Sequence, residues 1–161
     1  MRVLVLQHIA CEPPGVYEDV LHEREAELVR VELDEGEPIP DTPVDAIVAM
    51  GGPMSVNDED SLPWLVAEKQ FVAGAVRSGT PYWGVCLGVQ LLARAAGASV
   101  YRMPEGPEIG WHEVALTEAG QEDPQRAYHL IENRGVFLGY VEAPDATADA
   151  HLDRTSARIA D

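Results

Sequence analysis

One cysteine stands where a thiol could act as a nucleophile. In the run Pro81-Tyr82-Trp83-Gly84-Val85-Cys86-Leu87-Gly88-Val89-Gln90-Leu91-Leu92, a short apolar stretch leads into Cys86. Apolar residues at helical spacing (Leu87, Leu91, Leu92, Ala95, Ala96) follow at once, and glycines flank the cysteine at Gly84 and Gly88. That is the pattern of a nucleophile elbow, a tight strand-to-helix turn that lifts one side chain above the sheet edge. Such a turn forces backbones close together, and neither glycine has a Cβ to obstruct them. A thiol at a helix N-terminus faces the positive end of the helix dipole, which favours the reactive thiolate. The competing reading is a buried structural cysteine beside a sheet.

A second glycine-rich turn lies upstream. Gly51-Gly52-Pro53-Met54-Ser55-Val56 follows the apolar strand Asp45-Ala46-Ile47-Val48-Ala49-Met50, and a helical segment separates it from the cysteine. A Gly-Gly turn suits a backbone held close to a ligand, although a plain strand-ending turn would look the same. Strand, Gly-Gly-Pro, helix and then Gly-x-Cys-x-Gly-x-Gln resembles the class I (triad-type) glutamine amidotransferases, in particular stand-alone domains similar to the GMP synthase amidotransferase. The resemblance covers residues 1–124, from Met1-Arg2-Val3-Leu4 through Pro107-Glu108-Ile109-Gly110-Trp111 to Asp123-Pro124.

The resemblance implies a chemistry. Cys86 attacks the carboxamide carbon of glutamine, a glutamyl thioester forms, ammonia leaves, and water releases glutamate. It places the two oxyanion donors at the backbone N–H groups of Gly52 and Leu87. Gln90, one helical turn beyond Cys86, would help hold the substrate, its alternative being an exposed helix position. The family's base is a histidine in a His-Pro-Glu motif, which this sequence lacks. The motif is expected to fall slightly beyond residue 161. His151 and Asp153 give base and carboxylate in the right order but without a strand before them, and His129 comes too early. His112 reads as structural or near the substrate, and His8 and His22 as structural.

The elements that must carry these groups follow from periodicity. Val3 to Gln7 is a continuous apolar run, as expected of a parallel strand covered on both faces. A helix is predicted over 16–24 with Val16, Val20 and Leu21 inward, a strand over 28–33 and another over 46–50. Residues 34–43 form an acidic, proline-rich connection. Leu65, Val66, Phe71, Val72, Ala75 and Val76 set a helix over 64–77, which Gly79 ends. Gly97 should stop the helix after Cys86, and short strands are expected over 99–101, 113–116, 127–131 and 135–141. Strands alternating with helices imply an α/β, doubly wound, mostly parallel sheet of flavodoxin type.

After Pro124 the pattern departs from the family, so residues 1–124 read as the amidotransferase-like domain and 125–161 as an atypical tail. Either a shortened variant or a frame shift near residue 124 would produce it. An incomplete C-terminal end would expose one side of the sheet and favour low stability or homo-oligomerisation.

Bulk properties exclude several classes. The 161 residues carry 28 acids against 11 bases, a formal charge of −17, with 46% hydrophobic content. Such a surface repels phosphate backbones and anionic membranes, so no nucleic-acid or membrane partner is expected. Cys11 and Cys86 do not make a disulfide framework, and Cys11 reads as an inert thiol. The N-terminal apolar run is too short for a signal peptide or span, which points to a cytoplasmic protein. No cofactor is expected: neither metal-ligand spacing nor a dinucleotide fingerprint is present. Three functions fit these features: a glutamine hydrolase passing ammonia to a separate acceptor or synthetase, a catalytically silent binding module using the same cleft, or another cysteine hydrolase of γ-glutamyl hydrolase or PfpI type. Leu87 directly after Cys86 favours the glutamine enzymes over PfpI relatives, which usually carry histidine there.

Overall fold

The computed structural model describes residues 1–102 and 138–141. Among these residues four parallel strands form the sheet: β1 (Arg2–Gln7), β2 (Glu27–Glu32), β3 (Ala46–Ala49) and β4 (Tyr82–Val85). A fifth, β5 (Leu138–Val141), pairs antiparallel with β4, Trp83 lying opposite Tyr140 and Val85 opposite Leu138. The order is β2-β1-β3-β4-β5. This is the order of the flavodoxin-like doubly wound sheet, with its last strand reversed. The outer edge of β4 is therefore paired, by a segment inside the strand expected over 135–141.

Alternation along the strands explains why the apolar runs are continuous. Leu4, Leu6, Ile47, Ala49 and Tyr82 join one buried cluster with Leu65, Val72, Leu87 and Leu91, which come from helices α2 (Trp64–Ser78) and α3 (Leu87–Ala95). Val3, Val5, Val48 and Met50 join a second cluster with Tyr17 and Leu21 of helix α1 (Val16–Glu23). Successive side chains point to opposite faces, so a strand covered on both sides has no polar position.

The helix stops are those that glycine allows. Gly79 (φ 73°) and Gly97 (φ 84°) both adopt the left-handed conformation. Around Gly97, its N–H bonds the Arg94 carbonyl at 3.0 Å and the Ala98 N–H bonds Ala93 at 2.8 Å, the paired bonds of a Schellman ending.

Two expectations are corrected. In α1 the inward residues are Tyr17 and Leu21, whereas Val16 (66% exposed) and Val20 (47%) face outward. Residues 99–101 form no strand: the Val100 carbonyl, which a neighbouring strand would have used, accepts instead from Asn57 Nδ2 at 3.0 Å. The expected strands over 113–116 and 127–131 lie outside the described residues, as do His112, His129 and His151.

Candidate active site

The carboxyl ends of β1, β3 and β4 meet at one edge of the sheet, and each contributes a piece of the site. This is the edge at which open α/β sheets bind ligands.

Cys86 sits between β4 and α3 with φ 51° and ψ −104°, one of two non-glycine residues with positive φ among those described. Side chains at such angles cost about 1–3 kcal/mol and persist only where the surroundings enforce them. Here the enforcement comes from the flanking glycines. A Cβ on Gly84 would lie 2.6 Å from the Gly88 carbonyl carbon and 2.9 Å from the Val89 nitrogen. A Cβ on Gly88 would collide with the carbonyl oxygen of Ala49 in β3. The turn is also tied across its base, where the buried Tyr82 hydroxyl donates to the Gly88 carbonyl at 2.9 Å. Burial holds that phenol well above its ordinary pKa, and the negative charge of Glu68 adds to the effect.

The first turn of α3 closes on Cys86, whose carbonyl accepts from Val89 at 3.0 Å and Gln90 at 3.2 Å. The amides of Leu87 and Gly88 come before Val89, the first whose N–H reaches a carbonyl of this turn, as at any helix start. The Gly51-Gly52 turn lies against this point. A Cβ on Gly51 would be 3.3 Å from Cys86 Cβ and would strike the Glu12 carboxylate. A Cβ on Gly52 would lie 3.2 Å from His8 Cβ and 3.6 Å from Leu87 Cδ2, and would clash with Met54 Sδ. The structure thus brings Gly52, which precedes α2 in the sequence, together with Cys86 and Leu87, which follow it.

Gln90 is not an exposed helix residue: it is 4% exposed, and its Oε1 accepts the Val56 N–H at 3.0 Å. The Val56 carbonyl in turn accepts from Nζ of Lys69, the only lysine in the chain, at 3.0 Å. Both ends of the Val56 residue are thereby held, which fixes the loop that runs on from the Gly-Gly turn.

Sequence reasoning missed a buried pair beneath that turn. His8, at the end of β1, is fully buried, as is Glu68 of α2, and His8 Nε2 lies 2.8 Å from Glu68 Oε1. The other ring nitrogen, Nδ1, lies 3.2 Å from the Gly51 carbonyl oxygen, and the ring stacks on Trp64 at 5.9 Å. A signal existed: Glu68 falls in phase with Leu65, Val72 and Ala75 on the buried stripe of α2, a position where a carboxylate calls for a partner. Glu12 near Cys86 carried no such signal. His22 is exposed on α1 beside Glu18, and Cys11 is an exposed free thiol. Among the described residues no cluster of histidine, cysteine or carboxylate could hold a metal, and no helix is long and apolar enough to cross a membrane.

A doubly wound sheet with a strained cysteine at a strand–helix elbow, facing a glycine turn, defines a class of α/β domains. Comparison with known proteins is specific about which. Residues 17–136 match the family described as glutamine amidotransferase class-I. A glutamine amidotransferase-like protein of Salmonella typhimurium, YfeJ, is 33% identical over 133 residues, which are 80% of this chain and 55% of the relative. Among solved structures, a glutamine amidotransferase from Thermotoga maritima superposes with a TM-score of 0.65 at 29% identity, covering 88% of this chain and 60% of that one. The structure named SMU.1228c gives 0.69 at 28% identity, with 91% and 65% covered. A glutamine amido transferase from Methylobacillus flagellatus gives 0.64 at 29%, with 89% and 58% covered. The chain belongs to the class-I glutamine amidotransferase family. It spans between 55% and 65% of the length of these relatives.

Proposed function

We propose that the chain carries the glutamine-hydrolysing half of an amidotransferase reaction, with Cys86 as nucleophile. The observation that carries this is the strained Cys86 backbone, enforced by Gly84 and Gly88 and facing the Gly51-Gly52 turn. Glutamine is the substrate that the family implies. The Cys86 sulfur forms a bond to the carboxamide carbon, and the carbonyl electron pair moves onto oxygen. Collapse of that oxyanion expels the protonated nitrogen as ammonia and leaves a glutamyl thioester. Water adds to the thioester carbon, the thiol departs, and glutamate is released.

The amides of Gly52 and Leu87 are the donors assigned to the oxyanion. Loss of one such donor typically costs about a hundredfold or more in rate. Gln90 acts on this site through Val56, shaping the wall against which glutamine would lie. The proton transfers belong to neither described histidine, since both His8 nitrogens face other partners and His22 is exposed on α1.

The test is glutamate and ammonia release from L-glutamine by the full chain, compared with Cys86→Ala. Glutamate release by the unaltered chain and none by the variant is the expected result. A chain that releases no glutamate, and whose Cys86 is not labelled by 6-diazo-5-oxo-L-norleucine, would be a silent cleft and would end this reading.

A further inference from the structure

We infer that the buried His8–Glu68 pair is a positioning device that aims the Gly52 amide at the reacting carbonyl; the inference rests on the oxyanion assignment above. Gly51 C=O and Gly52 N–H are the two ends of one peptide group. A trans peptide is planar, so its oxygen and its N–H point in opposite directions. Whatever grips the oxygen sets the direction of the hydrogen. His8 Nδ1 lies 3.2 Å from that oxygen, beneath the turn, while Gly52 lies against Leu87 at the elbow.

The chemistry of the partners fixes the proton. A carbonyl oxygen only accepts, so Nδ1 carries a hydrogen. Glu68 Oε1 at 2.8 Å holds Nε2, and with it the plane of the ring. Trp64 stacking on one ring face removes the remaining rotation. Two glycines in succession otherwise leave this peptide free to flip, since neither residue has a Cβ to bias it. A buried ionisable pair is costly, and replacing it with apolar side chains is often neutral or stabilising. Its position directly under a flexible glycine peptide accounts for it by function.

Two substitutions separate positioning from packing. In His8→Asn the side-chain amide nitrogen stands near the place of Nδ1 and keeps the grip on Gly51. In His8→Gln it stands near the place of Nε2, so it keeps Glu68 and releases Gly51. For the full chain, the p-nitroaniline burst from L-γ-glutamyl-p-nitroanilide reads acylation, which builds an oxyanion. Iodoacetamide alkylation of Cys86, followed by peptide mass, reads the thiol without one.

The burst should fall at least tenfold further in His8→Gln than in His8→Asn, with alkylation equal in the two. Equal bursts would overturn the inference. If the unaltered chain shows no burst, the glutaminase reading fails and nuclear resonance decides the present one. A protonated His8 Nδ1, with Gly51 carbonyl and Gly52 amide resonances that move in His8→Gln and stay in His8→Asn, upholds it. A bare Nδ1 overturns it. Should a His8 variant not fold, Glu68→Gln takes its place, because a glutamine amide donating to Nε2 keeps hydrogen on Nδ1. That chain must retain both the Nδ1 hydrogen and any burst seen in the unaltered protein, and loss of either overturns the inference.

Discussion

At the scale of single residues, Cys86 holds a conformation it would not choose. Its φ of 51° with ψ −104° is available to glycine at little cost and to a Cβ-bearing residue only under constraint. Cys86→Ala removes the sulfur and keeps that constraint, whereas Cys86→Gly removes both. Glycine also loses about 0.5–1 kcal/mol more backbone entropy on folding than alanine does. Relief of about 1–3 kcal/mol outweighs that. Cys86→Gly should therefore unfold at a higher denaturant concentration than Cys86→Ala, with an unchanged slope. The reverse order in urea titrations would mean the elbow is relaxed. This feature was legible in the sequence because Gly84 and Gly88 mark it locally. Glu68 carried a signal on the buried stripe of α2, but its pairing with His8 did not, because their meeting depends on β1 and α2 converging under a turn that belongs to β3.

At the scale of elements, periodicity settled which segments are helices and left their phase open. Val16 and Val20 are spaced i, i+4, and so are Tyr17 and Leu21, so α1 offers two apolar faces one residue apart. The sheet takes the pair with the larger side chains, and Tyr17 packs against Trp83 with ring centroids 6.0 Å apart. The join between β4 and α3 is firmer and makes a pH prediction. Tyr82 has its pKa raised in the fold, while in the unfolded chain it titrates near the ordinary value of about 10. Below that value both states hold the proton and the buried hydrogen bond to Gly88 contributes in full. Above it the unfolded chain releases a proton that the folded chain retains, so stability falls as pH rises toward the folded pKa. The stability advantage of the unaltered chain over Tyr82→Phe should shrink by roughly 1.4 kcal/mol per pH unit above pH 10. Chemical denaturation of both chains at stepped pH measures it, and a pH-independent difference would show that Tyr82 ionises within the fold.

At the scale of the whole molecule, the balance of 28 acids against 11 bases dominates the long-range electrostatics. The acids cluster: Asp34, Glu35 and Glu37 lie exposed after β2, and Asp58, Glu59 and Asp60 crowd the loop beyond the Gly-Gly turn. Opposing charge is scarce. Lys69 is taken up by Glu59 and Val56, Arg30 by Glu18, and Arg2 by Glu27 at 3.3 Å. Salt acts on both sides of this ledger. It weakens the surface pairs, each of which contributes roughly 0–1 kcal/mol. It also weakens repulsion among the surplus carboxylates, whose reach falls from about 30 Å at 0.01 M salt to about 3 Å at 1 M. With a net charge of −17 the repulsive sum outweighs a few exposed pairs. The melting temperature should therefore rise steadily from 0.01 M to 1 M KCl, beyond any rise in sucrose solutions of matched osmolality. On the function proposed above, glutamine, zwitterionic and without net charge, would experience little of this field, so screening should leave its KM nearly constant over the same range. A melting temperature that fell with salt would mean that the ion pairs around Glu18 and Lys69 contribute more than the surplus charge costs, and the acidic surface would then be a feature of local pairing.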